Sequence, residues 1–286
     1  MFRLSAICIG ALCLATCQPV AEVMPRASHP VKEVVLDDLK SPWSIAFITD
    51  EDALISEKGG GLIRVNLADR SRQNIMGLPT DVVEDRSGNN GLFDVRLDPD
   101  FAINSRIYLA YAAEKNDGTT TKVIRAKLEG LALTDIEPLF EATPYTQNAR
   151  YHYGGGMVFG ADEKLYLTIG ERLFTEADQP AIPIAQDLSD RRGKIYRLNP
   201  DGSIPSDNPD FGPDAVDGLF AVGIRAAQGL ALNPMTGEIW FTEHGTHQGD
   251  EINQLRAGAN YGWPVKTSGK YRDGEYIPPA MNGTTF

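Results

Sequence analysis

One short pattern, two strands joined by a tight turn, occurs four times in this chain and constrains its fold more than any other feature. In each copy an apolar alternating stretch is followed by a turn rich in Asp, Asn, Pro or Gly, and then by branched and aromatic residues. Such a pattern predicts a β-hairpin. The paired stretches are residues 43–47 with 53–56, 93–97 with 106–111, 156–159 with 165–169, and 229–232 with 239–242.

A third strand follows three of these hairpins, at residues 62–65, 121–126 and 194–198. The copies begin roughly 50 to 75 residues apart, which suits a four-stranded propeller blade with its loops. No long stretch has helical periodicity, and 28 glycines with 18 prolines suit many tight turns. We therefore predict an all-β protein of β-propeller architecture, with a β-sandwich as the weaker alternative.

The number of copies raises a question about ring closure. Six blades of about 50 residues each need about 300 residues, whereas four copies are visible and residues 276–286 contain prolines but no closing strand. A four-bladed ring and an incomplete chain are both open. We expect an incomplete chain that contains about four to five blades of a larger propeller.

The N-terminal segment predicts export. A single positive charge at Arg3 precedes an apolar run over 4–15 that is too short to span about 30 Å of hydrocarbon as a helix. Residues 14–17 resemble the lipobox of bacterial lipoproteins, so lipidation at Cys17 and plain cleavage nearby are both open, and a retained core helix is the remaining alternative. We expect a signal at 1–16, a tether at 17–32 and one propeller domain at 33–286, located in the periplasm or anchored to the outer membrane of a Gram-negative bacterium.

The charge balance argues against nucleic acid as a partner. The chain has 27 Lys and Arg against 39 Asp and Glu, a formal net charge of −12. Its mean field repels polyphosphate, and an acidic surface suits solubility or metal binding.

Polar residues that break the strand pattern cluster directly after predicted strands, or just before the next one. His152 precedes three glycines, Glu171 ends a strand, Arg225 precedes the fourth hairpin, and a dense polar loop covers 242–251. A histidine can act as a general base near neutral pH, and an arginine can stabilise a developing oxyanion. Taken singly, His152 could equally be a hydrogen-bonded structural residue, Arg225 a surface ion-pair partner, and the polar loop a solvated segment.

Several of these strings together resemble the soluble PQQ-dependent aldose dehydrogenases of the glucose/sorbosone dehydrogenase family. The resemblance runs in order from about residue 43 to residue 264. It is carried by 152–155, 158–160, 165–171, 185–188, 193–205, 207–209, 223–225 with 228–231, 242–245 with 249–253, and 260–264.

The resemblance implies a six-bladed propeller that binds pyrroloquinoline quinone (PQQ) through a calcium ion on its axis. It implies an enzyme that oxidises an aldose at the anomeric carbon to the lactone and passes electrons to an external acceptor. In the family a histidine, here His152, takes the proton of the anomeric hydroxyl, while an arginine, here Arg225, stabilises the charge that develops.

The resemblance also implies cofactor and metal ligands. The neighbours of PQQ map to Asn89, Gln228 and His244, beside Arg225. The backbone carbonyls that hold the calcium map to Gly245 and Thr246, which is sensible for a hard cation. A second, structural calcium maps to Glu251 and Tyr261.

The chain departs from the family pattern at several positions. Gly156 stands where an arginine is usual, Ala226 and Ala227 replace an Asn-Pro pair, and the last family blades, with their cationic anchors for PQQ, are not visible. Whether such a chain is active stays open. The alternatives are a non-catalytic, calcium-stabilised propeller that binds carbohydrate or protein, and a calcium-dependent lactonase-like hydrolase. The sequence does not predict the sugar or the oligomeric state.

Overall fold

The computed structural model describes residues 32–83, 88–173 and 178–271. The predicted signal at 1–16, Cys17 and the tether as far as residue 31 lie outside these described residues. The chain divides into two units, Met1–Val34 and Val35–Phe286, and all strands given below belong to the second. Within the described part of the chain, no helix is both long and apolar enough to cross a membrane.

The strands form four antiparallel sheets that follow one another along the chain. The first sheet contains β1 (Pro42–Phe47), β2 (Asp52–Glu57), β3 (Gly61–Asn66) and β4 (Arg72–Asn74). The second contains β5 (Leu92–Leu97), β6 (Arg106–Lys115), β7 (Gly118–Glu129) and β8 (Ala132–Glu141), with β9 (Thr146–Gln147) paired to β7.

The third sheet contains β10 (Gly154–Phe159), β11 (Leu165–Ile169), β12 (Lys194–Leu198) and β13 (Leu219–Val222). The fourth contains β14 (Ala227–Leu232), β15 (Ile239–Glu243) and β16 (Glu251–Gln254). In every sheet the strands pair in chain order, as blades do. The four sheets are blades of a β-propeller, so the predicted fold class is confirmed and the two-sheet sandwich is excluded.

The cores lie between neighbouring blades. The first and second blades enclose Leu54, Leu92 and Leu109, and the second and third enclose Phe93, Tyr108, Met157 and Tyr196. The third and fourth blades are packed through Tyr166, Ile195, Ile224, Leu230 and Phe241. The second and third sheets each contribute residues to two of these cores, whereas β15 of the fourth sheet buries only alternate residues.

One predicted turn contains a helix. The turn between β5 and β6 forms a single helical turn, α1 (Phe101–Asn104). The Asp98 carboxylate accepts a hydrogen bond from the Asp100 N–H at 3.0 Å, and also one from the Tyr108 hydroxyl at 2.7 Å. The aspartate therefore fixes the turn at both ends, as Asx residues commonly do.

The first strand of each blade is irregular where it begins. The pairing register shifts between Pro42 and Ser44 in β1, between Leu92 and Val95 in β5, between Gly154 and Met157 in β10, and between Ala227 and Gly229 in β14. Bulges of this kind bend a strand and redirect the side chains beside it. The beginnings of β10 and β14 are where the predicted residues His152 and Arg225 are found.

Candidate functional site

His152 is held in an unusual backbone conformation directly before β10. Its φ is 56°, in the left-handed region that few non-glycine residues adopt. Gly170, which directly follows β11, packs closely against the backbone of His152. A Cβ added at Gly170 would overlap the His152 carbonyl oxygen. A strained residue fixed by close backbone packing is typical of a functional position.

The His152 side chain is 10% exposed, and it faces the buried carboxylate of Glu171. Its Nδ1 lies 3.3 Å from Oε1 of Glu171, within ion-pair range although not aligned as a hydrogen bond. Burial lowers the pKa of His152, the Glu171 carboxylate opposes this, and the positive charges of Arg225 and Arg172 lower the pKa further. The net direction is downward, so the imidazole is neutral at neutral pH and able to accept a proton.

Arg225 lies directly before β14 and is 3% exposed. Its Nη1 donates to the carbonyl oxygens of His244 at 2.9 Å and Gly245 at 2.8 Å. Its guanidinium lies over the ring of Trp263, 5.0 Å from the ring centroid. The backbone connects Arg225 with the histidine pair, because the Glu171 N–H donates to the Arg225 carbonyl at 2.9 Å. The structure therefore brings His152 and Arg225, both predicted catalytic residues, to the same end of adjacent blades.

Glu243 is a buried carboxyl at this end of the fourth blade that the sequence did not single out. It is 7% exposed, its Oε1 accepts the Arg225 N–H at 2.5 Å, and its Oε2 has no hydrogen-bond partner among the described residues. Burial raises its pKa to about 8, and the neighbouring Glu251 carboxylate acts in the same direction. The period-two alternation of β15 is the signal that could have found it, since Glu243 is on the same face as Ile239 and Phe241.

A cavity of about 400 Å³ opens beside Glu243 in the fourth blade. Gln228 and His244, two of the predicted cofactor neighbours, both line it, together with the acidic residues Asp250 and Glu251. Asn89 is found elsewhere: its N–H donates to the Arg150 carbonyl at 2.7 Å, and it does not line this cavity in the described structure.

The two carbonyls predicted to hold calcium already have one donor each. The Gly245 carbonyl accepts from Arg225 Nη1, and the Thr246 carbonyl accepts the Gly249 N–H at 3.0 Å. A carbonyl oxygen has two lone pairs, so each keeps one for a cation. Carbonyl oxygens are ligands that calcium accepts, so the donor chemistry of this turn fits the ion.

Glu251 and Tyr261, predicted ligands of a second calcium, line a separate cavity of about 570 Å³. The Glu251 carboxylate accepts from the Ser268 hydroxyl at 2.6 Å and from the Asn253 amide at 3.1 Å. The Tyr261 hydroxyl donates to the Gln254 carbonyl at 2.7 Å. The Glu251 carboxylate and the Tyr261 oxygens are donors that a hard cation accepts.

The donors around the first cavity suit an anionic quinone in part. The Gln228 amide and the His244 imidazole line it and can donate to carboxylate or carbonyl oxygens, whereas Arg225 is not among its lining residues. The acidic residues of the same cavity suit a cation better than an anion. Gly156 faces the strand of Gln228 closely, since a Cβ at Gly156 would overlap the Gln228 carbonyl oxygen unless the backbone shifted.

These features define a class: a β-propeller with a buried histidine–glutamate pair, an arginine and a carbonyl-bearing turn at one end of neighbouring blades. A family model described as "Glucose / Sorbosone dehydrogenase" matches residues 39–285. The chain belongs to the glucose/sorbosone dehydrogenase family.

Two relatives have names that state their chemistry. This chain is 33% identical over 286 residues to "Aldose sugar dehydrogenase YliI" of Escherichia coli, covering 98% of this chain and 72% of the relative. It is 32% identical over 252 residues to "Quinoprotein glucose dehydrogenase B" of Acinetobacter calcoaceticus, covering 82% of this chain and 52% of the relative. The chain thus spans between about half and three quarters of the length of these relatives.

Solved structures share the same fold. The soluble aldose sugar dehydrogenase of Escherichia coli in its apo form matches with a TM-score of 0.75 and 36% identity, over 86% of this chain and 69% of that one. The PQQ-bound aldose sugar dehydrogenase of Streptomyces coelicolor matches with a TM-score of 0.70 and 28% identity, over 87% and 70%.

Proposed function

We propose that this chain carries the site of a PQQ- and calcium-dependent sugar dehydrogenase that oxidises an aldose at its anomeric carbon to the lactone. The observation that carries the proposal is the buried His152 against Glu171, with Arg225 at the same end of the adjacent blade, in a member of this family. Relatives named for aldose or glucose oxidation, one of them a quinoprotein, support the reaction type.

His152 acts as the general base in this proposal. Because Nδ1 faces the Glu171 carboxylate, the tautomer with hydrogen on Nδ1 is favoured and Nε2 is left to accept the proton of the anomeric hydroxyl. Loss of that proton allows the anomeric C–O bond to become the lactone carbonyl as hydride leaves the same carbon. Glu171 then stabilises the imidazolium that His152 becomes.

Arg225 supplies a fixed positive charge that stabilises the negative charge developing on oxygen during the reaction. Because Arg225 is buried, solvent screens this charge little. PQQ, when bound, supplies the acceptor for the hydride, and Gln228 and His244 would hold it. Calcium supplies a Lewis acid when held by Gly245 and Thr246, and a second ion at Glu251 and Tyr261 would stabilise the fold.

The location and electron partner of the enzyme follow from the N-terminal sequence and the reaction. We propose export by the signal at 1–16, followed either by lipidation at Cys17 or by plain cleavage nearby. Reoxidation of the cofactor would require an external electron acceptor.

The test is a titration of the purified protein with PQQ and calcium, followed by an aldose and an artificial electron acceptor. We expect saturable PQQ binding and calcium-dependent dye reduction. His152→Ala should lower turnover by about 10²–10⁴-fold with little loss of PQQ affinity, because the role assigned to His152 is proton abstraction.

His247→Ala is the matched control, because His247 is an exposed histidine held through backbone bonds to Lys270. It should keep the parent turnover. Unchanged turnover in His152→Ala would remove His152 from the mechanism, and absence of PQQ binding by the folded parent would contradict the proposed function.

A further inference from the structure

Glu243 joins the arginine and the carbonyl-bearing turn into one unit. The end of β15 lies beside the beginning of β14, with Ala227 opposite Glu243, and the His244 N–H donates to the Ala226 carbonyl at 3.1 Å. Pairing along the two strands ends there. The next backbone amide, that of Arg225, is satisfied by the Glu243 side chain at 2.5 Å instead of by a strand partner.

The backbone and the guanidinium of Arg225 are consequently both hydrogen-bonded within the segment 243–245. Its backbone N–H is bound to the Glu243 carboxyl, and its guanidinium is bound to the His244 and Gly245 carbonyls at 2.9 and 2.8 Å. The Gly245 N–H is held in turn by Asp250 Oδ1 at 3.1 Å. The hydrogen bond to the Arg225 N–H therefore fixes the point from which its side chain extends toward the His244 and Gly245 carbonyls.

A carboxyl at this position is unfavourable for stability alone. Its neighbours on the inner face of β15 are apolar, its Oε2 is buried without a partner among the described residues, and the residue opposite, Glu251, is also acidic. Burying an unpaired polar atom is destabilising, and the Glu251 carboxylate opposite disfavours ionisation of Glu243. A residue retained against local stability points to a functional role.

We propose that Glu243 is a positioning residue of the sugar-oxidising site, which orients Arg225 and the turn 243–245 as one unit. This inference rests on the proposed function above, since the value of a fixed Arg225 lies in the charge that it supplies there. Glu243 lines the same cavity as Gln228 and His244, and in the proposed role it acts through Arg225.

The test compares Glu243→Gln, which keeps an oxygen acceptor, with Glu243→Met, which fills a similar volume without one. Both are made in a Trp43→Phe/Trp240→Phe background, where Trp263 becomes the single tryptophan of the chain and reports on the guanidinium above it. PQQ affinity at fixed calcium and Tm are measured on the same proteins. Glu238→Met is the control, because Glu238 is an exposed acid at the opposite end of β15.

We expect Glu243→Met to change the Trp263 emission and weaken PQQ binding at least about tenfold, since small misplacements of site groups are costly. Its Tm should change little, because loss of the acceptor for the Arg225 N–H offsets removal of the unpaired Oε2. Glu243→Gln should restore both the emission and the affinity to the parent values.

Parent-like emission in Glu243→Met, or equal effects of Gln and Met, would overturn the proposal. If the parent binds no PQQ, the proposed function fails, and the emission of Trp263 alone still decides whether Glu243 positions Arg225. If Glu243→Met does not fold, Glu243→Ala takes its place in the same comparison.

Discussion

At the scale of single residues, His152 and Glu171 must favour a neutral imidazole before proton transfer and a protonated one after it. A base must be neutral before it accepts a proton, and burial together with two arginines lowers the pKa of His152. The imidazolium formed afterwards needs a counter-charge, which the Glu171 carboxylate provides at 3.3 Å. Glu171 is itself held by the Gln179 side chain and by its backbone bond to Arg225. The pair is thus suited to cycle between the two protonation states without large movement.

Lys194, at the beginning of β12, is a second buried titratable group and gives a prediction about stability. Its side chain is fully buried and donates to the carbonyls of Ile184, in a short 3₁₀ helix (Ile184–Gln186), at 2.9 Å and of Arg192 at 2.7 Å. Burial is the main cause that lowers the pKa of Lys194, to about 7. Between that value and the unfolded pKa near 10.4 the unfolded chain binds more protons, so this lysine makes the fold more stable as pH rises.

We expect the parent to gain stability relative to Lys194→Met between pH 7 and pH 9, by about 2 kcal/mol. Urea unfolding of both proteins at the two pH values measures the difference, and the other titrating groups largely cancel in it. A difference that stays constant, or that shrinks as pH rises, would show that Lys194 remains charged in the folded protein.

At the scale of strands, the contact between β10 and β14 brings the third and fourth blades together next to the site. Gly156 in β10 faces the Gln228 carbonyl in β14 so closely that any side chain would force the two strands apart. The glycine therefore suits the close approach of the two backbones at this position.

Gly156→Ala should therefore destabilise the protein by about 1–3 kcal/mol, as overpacking commonly does, and should weaken PQQ binding through displacement of Gln228. Thermal unfolding and a PQQ titration measure the two effects. Gly61→Ala is the control, because a Cβ there meets only the flexible Glu57 side chain. Equal Tm values for the two variants would contradict the prediction, because they would show that moving β10 and β14 apart does not lower the stability of the protein.

The strands differ in how well the sequence predicts them. The first two strands of each blade carry runs of apolar residues bounded by Asp, Asn, Pro or Gly, so their pattern is strong, whether the strand is buried throughout, as β11 is, or on one face, as β15 is. The outer strand β4 consists of three exposed polar residues, and β16 is polar with an exposed Ile252, so neither carries an alternation that could be recognised. Outer strands are defined by pairing to a neighbour, which a local pattern does not encode.

The sequence likewise predicts some residues of the candidate site better than others. His152 and Arg225 stand out because they interrupt apolar strands at glycine-containing junctions. Glu243 does not, since the polar run that follows it resembles a solvated loop. Its burial is decided by the partner strand and by the Arg225 amide, which are distant in sequence. Asn89 was assigned by resemblance alone, and its position beside Arg150 depends on loop geometry that has no sequence signature.

At the scale of the whole molecule, the acidic composition and the two candidate calcium sites act together. A net charge of −12 favours accumulation of divalent cations at the surface and opposes compaction by self-repulsion. A cation that binds only the folded state relieves part of that repulsion and also stabilises the fold by mass action. Both candidate sites lie in or beside the fourth blade, so this blade should be the one that calcium stabilises most.

Calcium added to chelator-treated protein should raise Tm by roughly 5–10 °C when it is present at about 100 times its dissociation constant. Magnesium should give a smaller shift, because it demands closer octahedral geometry than carbonyl-rich turns provide. Glu251→Gln should lose a large part of the calcium shift, while Glu238→Gln, an exposed acid of the same blade, should retain it. Melting curves that are the same with calcium and with chelator would argue against both metal sites, and a full shift in Glu251→Gln would assign the stabilisation to the carbonyls of Gly245 and Thr246.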